Sequence, residues 1–356
     1  MKIAKMSIYN EIRGVIHVHF PRRKWERYIE IINKESKKAK IDFVILTSHT
    51  PKKNKEKYKD LFEIDGYYNN VLVIHSEEVD EKKKDHFILI GKKYWTNEKD
   101  IDKILKSKDD NIIKLVVHPY GKHRLFLIKK DYNWKRWNEN FDGIEIWSLL
   151  FDWADKTKIY NIPIRYLFFP SNISIPTERV LKKWDYLNLK RKVIGFAGLD
   201  IHSLPKYLKI FDFKKSFSYR SVFNTLRNHI YLKDGLTGNL VEDKNKILKA
   251  IKNGNLFFSN DYLKDSSGFY FGDSEGKYFC GQEGKIGDII LIKNPILTKT
   301  KLIRNGVVIM EKEIREENFK VEKEGNYRVE VFLGNKKWIF SNNIYIKGEE
   351  DGKEKI

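Results

Sequence analysis

The chain has 356 residues, 41% apolar and 14% aromatic, and its 69 Lys and Arg exceed its 49 Asp and Glu by 20. That apolar content excludes wholesale disorder, the single Cys280 excludes a disulfide framework or a Cys-rich zinc module, and no apolar run is long enough to span a bilayer. The length suits two or three domains, or one barrel of about 250 residues with a small companion.

In chain order, Val15-Ile-His-Val-His19 reads as a strand, and Trp25, Tyr28, Ile29 and Ile32 recur at helical spacing. Short β-branched or apolar runs follow at Phe43-Val-Ile-Leu-Thr47, Val71-Leu-Val-Ile74 and Phe87-Ile-Leu-Ile90. Ile101, Ile104 and Leu105 mark a helix. Leu115-Val-Val117, Gly143-Ile-Glu-Ile-Trp147 and Val193-Ile-Gly-Phe-Ala197 read as strands, with a helix at Val180, Leu181, Trp184 and Leu187. Val222, Phe223 and Leu226 start one more helix, and Ile247, Leu248 and Ile251 another that stops at Gly254. Repeated strand–helix units with short apolar strands predict an α/β fold, a parallel sheet covered by helices, and about seven such units favour a barrel.

After residue 255 the helical period disappears. Gly268-Phe-Tyr-Phe-Gly272, Asp288-Ile-Ile-Leu-Ile292 and Lys301-Leu-Ile-Arg304 read as strands, and Asn305-Gly306 turns the chain into Val307-Val-Ile-Met310. Two further strands flank Gly334-Asn335, and Ile344-Tyr-Ile346 closes the set. The predicted organisation is a barrel over 1–255, a small antiparallel β-sandwich over 256–348 and a charged tail over 349–356.

The charge excess has two readings. Runs such as Pro51-Lys-Lys-Asn-Lys-Glu-Lys-Tyr-Lys59 and Glu81-Lys-Lys-Lys-Asp85 mix with acids and polar residues, as on a solvated surface. The excess also steers anions, so an anionic small molecule is the expected partner and nucleic acid the alternative, with no membrane partner. The opening Met1-Lys-Ile-Ala-Lys-Met-Ser carries no apolar leader, which makes the cytoplasm the expected location.

Histidines gather at the edges of the apolar runs. Residues i and i+2 of a strand share a face, so His17 and His19 form a chelating pair, and Asp200 and His202 repeat the spacing near a later strand end. His49 ends the second strand, Glu78 follows the third and His118 ends the fifth, while His86 precedes its apolar run instead of following it. Barrel sites form at the C-terminal ends of the strands, so these residues can converge on one mouth. Imidazole and carboxylate without thiolate suit Zn, Mn or Fe.

These motifs resemble the PHP family (polymerase and histidinol phosphatase domain), closest to its carbaryl-hydrolase-like branch. His17-Val-His19, Leu46-Thr-Ser-His49, Val73-Ile-His-Ser-Glu-Glu-Val79, Asp85-His-Phe-Ile-Leu-Ile-Gly91, Val117-His-Pro119 and Gly198-Leu-Asp-Ile-His202 appear in the family's order, and the ending Trp338-Ile-Phe-Ser-Asn-Asn-Ile-Tyr345 is similar to that branch too. Two departures stand out: Ser48 replaces the family's usual Asp, and Phe20-Pro-Arg-Arg-Lys24 has no further His. The resemblance implies a distorted (β/α)7 barrel and a metal-dependent phosphoesterase or related hydrolase. In it, His17, His19, Glu78 and Asp200 hold one divalent ion, and Glu78 bridges to a second held by His86 and His118. His49 and His202 serve a third position or touch the substrate. A metal-activated water would then attack a phosphate ester, or a carbamate, ester or amide carbonyl, with Asp200 accepting a proton and His202 or His49 protonating the leaving group. Arg22, Arg23, Lys122 and Arg124, in loops after ligand strands, are candidates to clamp phosphate oxygens. A degenerate site in a nucleic-acid- or partner-binding protein is the reading from another class. Glu145 lies on the sixth strand, outside the ligand set.

Overall fold

Seven strands close into a ring: β1 (Asn10–His19), β2 (Phe43–His49), β3 (Val71–Asp80), β4 (His86–Ile90), β5 (Ile113–Val116), β6 (Gly143–Ser148) and β7 (Ile194–Ile201). β1 pairs with β2, β2 with β3, β3 with β4, β4 with β5, β5 with β6, β6 with β7, and β7 again with β1. The pairings on either side of β4 are antiparallel and the rest are parallel. The structure is a computed structural model that describes residues 9–80, 86–123, 130–202 and 219–348. The charged tail 349–356 lies outside the described residues.

The ring departs from the expected (β/α)7 alternation. α1 (Trp25–Lys38) joins β1 to β2, α2 (Ile101–Lys106) lies between β4 and β5, and α3 (Leu149–Asp155), α4 (Ile162–Leu167) and α5 (Glu178–Asn188) all lie between β6 and β7. β2 and β3 are linked through the 3-10 helix Lys55–Glu63 and the short strand Gly66–Tyr68, which pairs antiparallel with β3. Asp80 and His86 stand opposite each other in the β3–β4 pair. A parallel crossover needs about a dozen residues, more than this stretch of chain holds, so β4 returns antiparallel.

The core of the ring is made by its own apolar residues, on both faces of the strands. Val15, Ile16, Val18, Phe43, Leu72, Ile88, Leu115, Ile144 and Phe196 are fully buried. α1 covers them with Ile29 and Ile32, and α5 with Val180, Leu181 and Trp184. Each such side chain contributes about 1.5–3 kcal/mol on burial.

After α6 (Tyr219–Phe223) comes β8 (Leu226–Leu232), where the sequence pattern predicts a continuing helix. β8 is buried at every position, so no period of two marks it as a strand. It pairs antiparallel with the Asn10–Gly14 end of β1 and with β9 (Leu256–Asn260). Between them runs α7 (Leu240–Asn253). Asn239 caps it by accepting from the backbone N–H groups of Val241 and Glu242, and Gly254 ends it at φ +69°.

The remaining strands are β10 (Tyr270–Asp273), β11 (Glu283–Lys285), β12 (Ile289–Arg304), β13 (Val307–Lys320), β14 (Gly325–Leu333), β15 (Lys336–Ser341) and β16 (Ile344–Lys347). All pair antiparallel except β11 with β16. Asn305 and Gly306, at φ +53° and +81°, make the tight β12–β13 turn. Their own core gathers Phe269, Phe271, Ile290, Leu302, Val329 and Trp338. β15 also pairs with β9, so these strands continue the sheet that starts on the ring. Among the described residues no helix is long and apolar enough to cross a membrane.

Candidate metal centre

The C-terminal end of β1 is bent. Its register against β7 shifts between Ile16 and Val18, and His17 has φ +66°. Asp200 and His118 also have positive φ, +47° and +31°. Non-glycine residues rarely adopt this conformation, and three of them at one end of the ring mark stored strain of the kind found at functional sites. The bulge re-aims His17, so simple strand alternation is not what places the pair. The ring nitrogens His17 Nε2 and His19 Nε2 lie 3.5 and 3.0 Å from Glu78 Oε2, and 3.3 and 3.2 Å from Asp200 Oδ1.

Glu78, 1% exposed at the end of β3, divides its two oxygens between two groups of imidazoles. Oε2 faces His17, His19 and, at 3.3 Å, His49 Nδ1. Oε1 lies 2.8 Å from His86 Nδ1 and 3.4 Å from His118 Nε2. Because β4 runs antiparallel, its first residue, His86, stands at the same end of the ring as the last residues of the parallel strands.

At the rim, His49 Nε2 and His202 Nε2 are 3.2 Å apart. The other nitrogen of each ring is occupied. His49 Nδ1 is 2.9 Å from Asp80 Oδ1, and His202 Nδ1 is 3.0 Å from the Asp200 carbonyl, which can only accept. The His49 and His202 side chains are 35% and 44% exposed, so this pair faces outward.

Three further residues belong to the site. Asp80, outside the motifs read in the sequence, lies within reach of both His49 and His86, and its i,i+2 spacing from Glu78 matches that of His17 and His19. Glu145 Oε1 is 3.1 Å from His17 Nδ1, and its Oε2 accepts from the His118 backbone N–H at 2.6 Å. Tyr132 stands edge-on to His86 and His118, with ring centroids 4.7 and 4.9 Å away. No local pattern in the sequence marks Tyr132. Glu77, the neighbour of Glu78, points elsewhere: it accepts from the Thr96 N–H and hydroxyl and from Thr50 Oγ1.

In the chain alone, burial disfavours charge at this site, and for His17, His49, Glu78 and Asp200 mutual pairing overcomes it. Burial works against the His17 proton, but Asp200, Glu145 and Glu78 raise its pKa well above the usual range. Burial likewise opposes the His49 proton, yet Glu78 and Asp80 push its pKa up to about 9. Glu78 and Asp200 are held below the usual carboxylate range by the facing imidazoles, against the effect of burial. Burial, with His19 and His49 nearby, lowers His202 to about 4.

This donor set fits a divalent cation. His17 Nε2, His19 Nε2 and Glu78 Oε2 are buried without a hydrogen-bond partner although they face one another. With Glu145 facing Nδ1 of His17, the neutral ring that a cation would require turns its Nε2 lone pair toward the cluster, the usual arrangement of a metal-binding histidine. His17, His19, Glu78 and Asp200 offer ligand atoms within 4.8 Å of one another, as do Glu78, His86 and His118, and His19, His49 and His202.

Other expected residues take different places. Arg22 donates to the His49 carbonyl and stacks on Tyr58 at 5.1 Å. Arg22 and Arg23 line a cleft of about 410 Å3 with Trp25, Lys57 and Tyr58. Arg124 and the side chain of Lys122 lie outside the described residues. Ser48 is buried, and its hydroxyl has no hydrogen-bond partner.

No protein-family model matches the chain, and no curated protein matches it. Among solved structures, a two-domain protein from Bacteroides vulgatus, described as containing a predicted PHP-like metal-dependent phosphoesterase, is 14% identical with TM-score 0.44, over 95% of this chain and 96% of that one. PsfC from Pseudomonas syringae is 12% identical with TM-score 0.38, over 66% of this chain and 88% of that one. Both likenesses are too distant to bear on activity.

Proposed function

We propose that this chain is a metal-dependent hydrolase of the PHP type, and that its substrates are phosphate esters. The observation that carries the reading is Glu78, one buried carboxylate whose two oxygens address two separate groups of imidazoles. His17, His19 and Asp200 would hold one Zn, Mn or Fe ion, and His86 and His118 a second, with Glu78 between them. When bound, such ions supply Lewis acidity, which polarises an ester oxygen and makes water acidic enough to react near neutral pH.

The chain's own groups supply the rest. Glu145 holds His17 with its Nε2 lone pair toward the cluster. Asp200, beside His17 and His19, would also accept the proton that the attacking water gives up. The His49–His202 pair, at the exposed rim, is placed to pass a proton to a departing alkoxide, with Asp80 holding His49 from behind. The ester oxygen then leaves as an alcohol, and Arg23 at the neighbouring cleft attracts the phosphate's negative charge.

Metal content per chain tests this, on untagged protein purified without chelator, beside a His17→Ala/Asp200→Ala variant. The expected result is about two transition-metal ions per parent chain and clear loss in the variant. Parallel assays with an aryl phosphate and an aryl carbamate should show metal-dependent turnover of the phosphate. A parent that takes up no Mn2+, Zn2+ or Fe2+ overturns the hydrolase reading, and turnover of the carbamate alone overturns the substrate class.

A further inference from the structure

The connection between β6 and β7 carries an apolar surface that the metal chemistry leaves unused. α4 has no buried residue. Ile164, Leu167 and Phe168 on and just after it are 61%, 74% and 58% exposed, and Tyr160 before it is 84% exposed. Ile175 adds 48%. Elsewhere most exposed large apolar residues are scattered, whereas here five lie within sixteen positions, 160–175. A contiguous apolar patch on a protein surface marks a contact with something else.

The charge within it is positive: between Asp155 and Glu178 the chain has Lys156, Lys158 and Arg165 and no acid, and Glu178 is paired with Lys337 at 2.9 Å. Lys156 and Lys158 are exposed. Arg165 is committed to holding the segment in place: its Nη2 donates to the carbonyls of Trp153 and Asn172, and its guanidinium lies over the Trp153 ring at 5.6 Å. Trp153 Nε1 donates in turn to Asn172 Oδ1.

The segment hangs from α3, which begins directly after β6 at the cluster's end of the ring. Phe151 on α3 stacks on His118 at 4.1 Å. Trp147, next to the last residue of β6, donates its Nε1–H to the Ser174 carbonyl at 2.7 Å, which ties the segment to the cluster's end of the ring.

We infer that residues 160–175 form an anionic-membrane docking surface, with Tyr160, Ile164, Leu167 and Phe168 entering the headgroup region and Lys156 and Lys158 meeting lipid phosphates. Side chains this exposed project outward, which suits insertion among lipid headgroups better than the flat packing of two protein faces. Lys156 and Lys158 outnumber the adjacent Asp155 and, with the chain's net charge of +20, complement an anionic bilayer. The inference is independent of the metal reading, because vesicle binding is measured without turnover.

The test is co-sedimentation of the full chain with phosphatidylcholine vesicles, with and without added phosphatidylglycerol, over a range of salt. The parent is expected to pellet with the anionic vesicles only, and less so as salt rises. Ile164→Ser/Leu167→Ser/Phe168→Ser should weaken that binding by about tenfold or more, and Lys156→Glu/Lys158→Glu should weaken it while keeping the apolar patch. The single Leu167→Ser variant gives the same direction if the triple variant does not fold by circular dichroism. A parent that stays in the supernatant with anionic vesicles overturns the inference. So does undiminished binding by the folded apolar variants. A parent dimer in light scattering that Leu167→Ser converts to monomer would make the patch a contact between copies of this chain, and would overturn it too.

Discussion

Glu145 Oε1 lies 3.1 Å from His17 Nδ1, and this contact decides which nitrogen of the ring faces the cluster. The other Glu145 oxygen accepts from the His118 backbone N–H, so one carboxylate braces both groups of imidazoles. Glu145→Gln keeps the shape but replaces one acceptor oxygen with an N–H2 group. Metal affinity should fall about 10–100-fold, read by competition against a chromophoric chelator. Gly198 faces the same carboxylate: a Cβ there would come 1.7 Å from Glu145 Oε1. Gly198→Ala should therefore reproduce the loss of affinity through displacement of Glu145. If Gly198→Ala lowers the melting temperature but leaves affinity intact, Glu145 is a structural residue only.

The adjacent acids Glu77 and Glu78 make a matched pair for mutation. Glu78→Gln removes the carboxylate between the two imidazole groups, and metal content should drop to background. Glu77 is fully buried and accepts from Thr96 and Thr50. Glu77→Gln should cost about 1–3 kcal/mol of stability and leave metal content intact. Elemental analysis together with urea unfolding of both variants reads the contrast. Equal metal loss in both would mean that Glu78 has no special place.

Much of this site was legible because strand chemistry is local. His17 with His19 and Asp200 with His202 stand out by spacing, and Glu78 by its place just after an apolar run. His86 itself looked misplaced, since a parallel reading puts a strand's first residue at the wrong end. β4 reverses because the link from Asp80 to His86 is too short for a parallel crossover, which the expectation of a parallel sheet did not include. Asp80 was hidden because it runs into Glu81-Lys-Lys-Lys-Asp85 and reads as the start of a solvated stretch. β8 reads as part of a helix in the sequence because a strand covered on both faces shows no alternation. The Asn305-Gly306 turn was plain for the opposite reason: its chemistry lies within two residues.

Two buried histidines outside the cluster set opposite limbs of the pH profile. Burial opposes a proton on His229, but Asp261 and Glu11 face it and raise its pKa from 6.5 to about 9. Ser259 and Ser266 complete its surroundings. A raised folded pKa means that this stability is fully present below pH 6.5 and is lost as pH rises toward 9, with a ceiling of about 3 kcal/mol. His75 is the reverse. It is buried edge-on to Phe62 and Trp95, neither ring nitrogen has a partner, and burial, with Lys244 adding, lowers its pKa to about 3. It destabilises the fold as pH falls from 6.5 toward 3. Urea midpoints across pH, taken in chelator against the parent, should show His229→Gln flattening the alkaline limb. His75→Leu should flatten the acid limb and raise stability at neutral pH by about 1–2 kcal/mol. Parallel curves for parent and variants would refute both assignments.

The junction between the ring and the C-terminal strands includes a buried cation. Arg328 on β14 is 3% exposed; its Nε and Nη2 donate to the two Asp185 oxygens of α5 at 2.6 and 2.8 Å, and its Nη1 donates to Glu330 at 2.6 Å. Its guanidinium also lies over Trp184 at 5.3 Å. Removing one partner of a buried pair leaves the others charged and desolvated, which usually costs about 3–5 kcal/mol. Arg328→Met should therefore destabilise strongly, whereas Arg328→Met/Asp185→Leu/Glu330→Leu, which removes the buried charges together, should recover most of the loss. Differential scanning calorimetry also reads how the two parts are coupled. If the C-terminal strands are held to the ring through this contact, Arg328→Met should split one transition into two, with the earlier one belonging to residues 256–348. A single transition shifted downward would instead show that the β9–β15 pairing, with Phe257 opposite Ser341, keeps ring and strands as one cooperative unit without the ion pair.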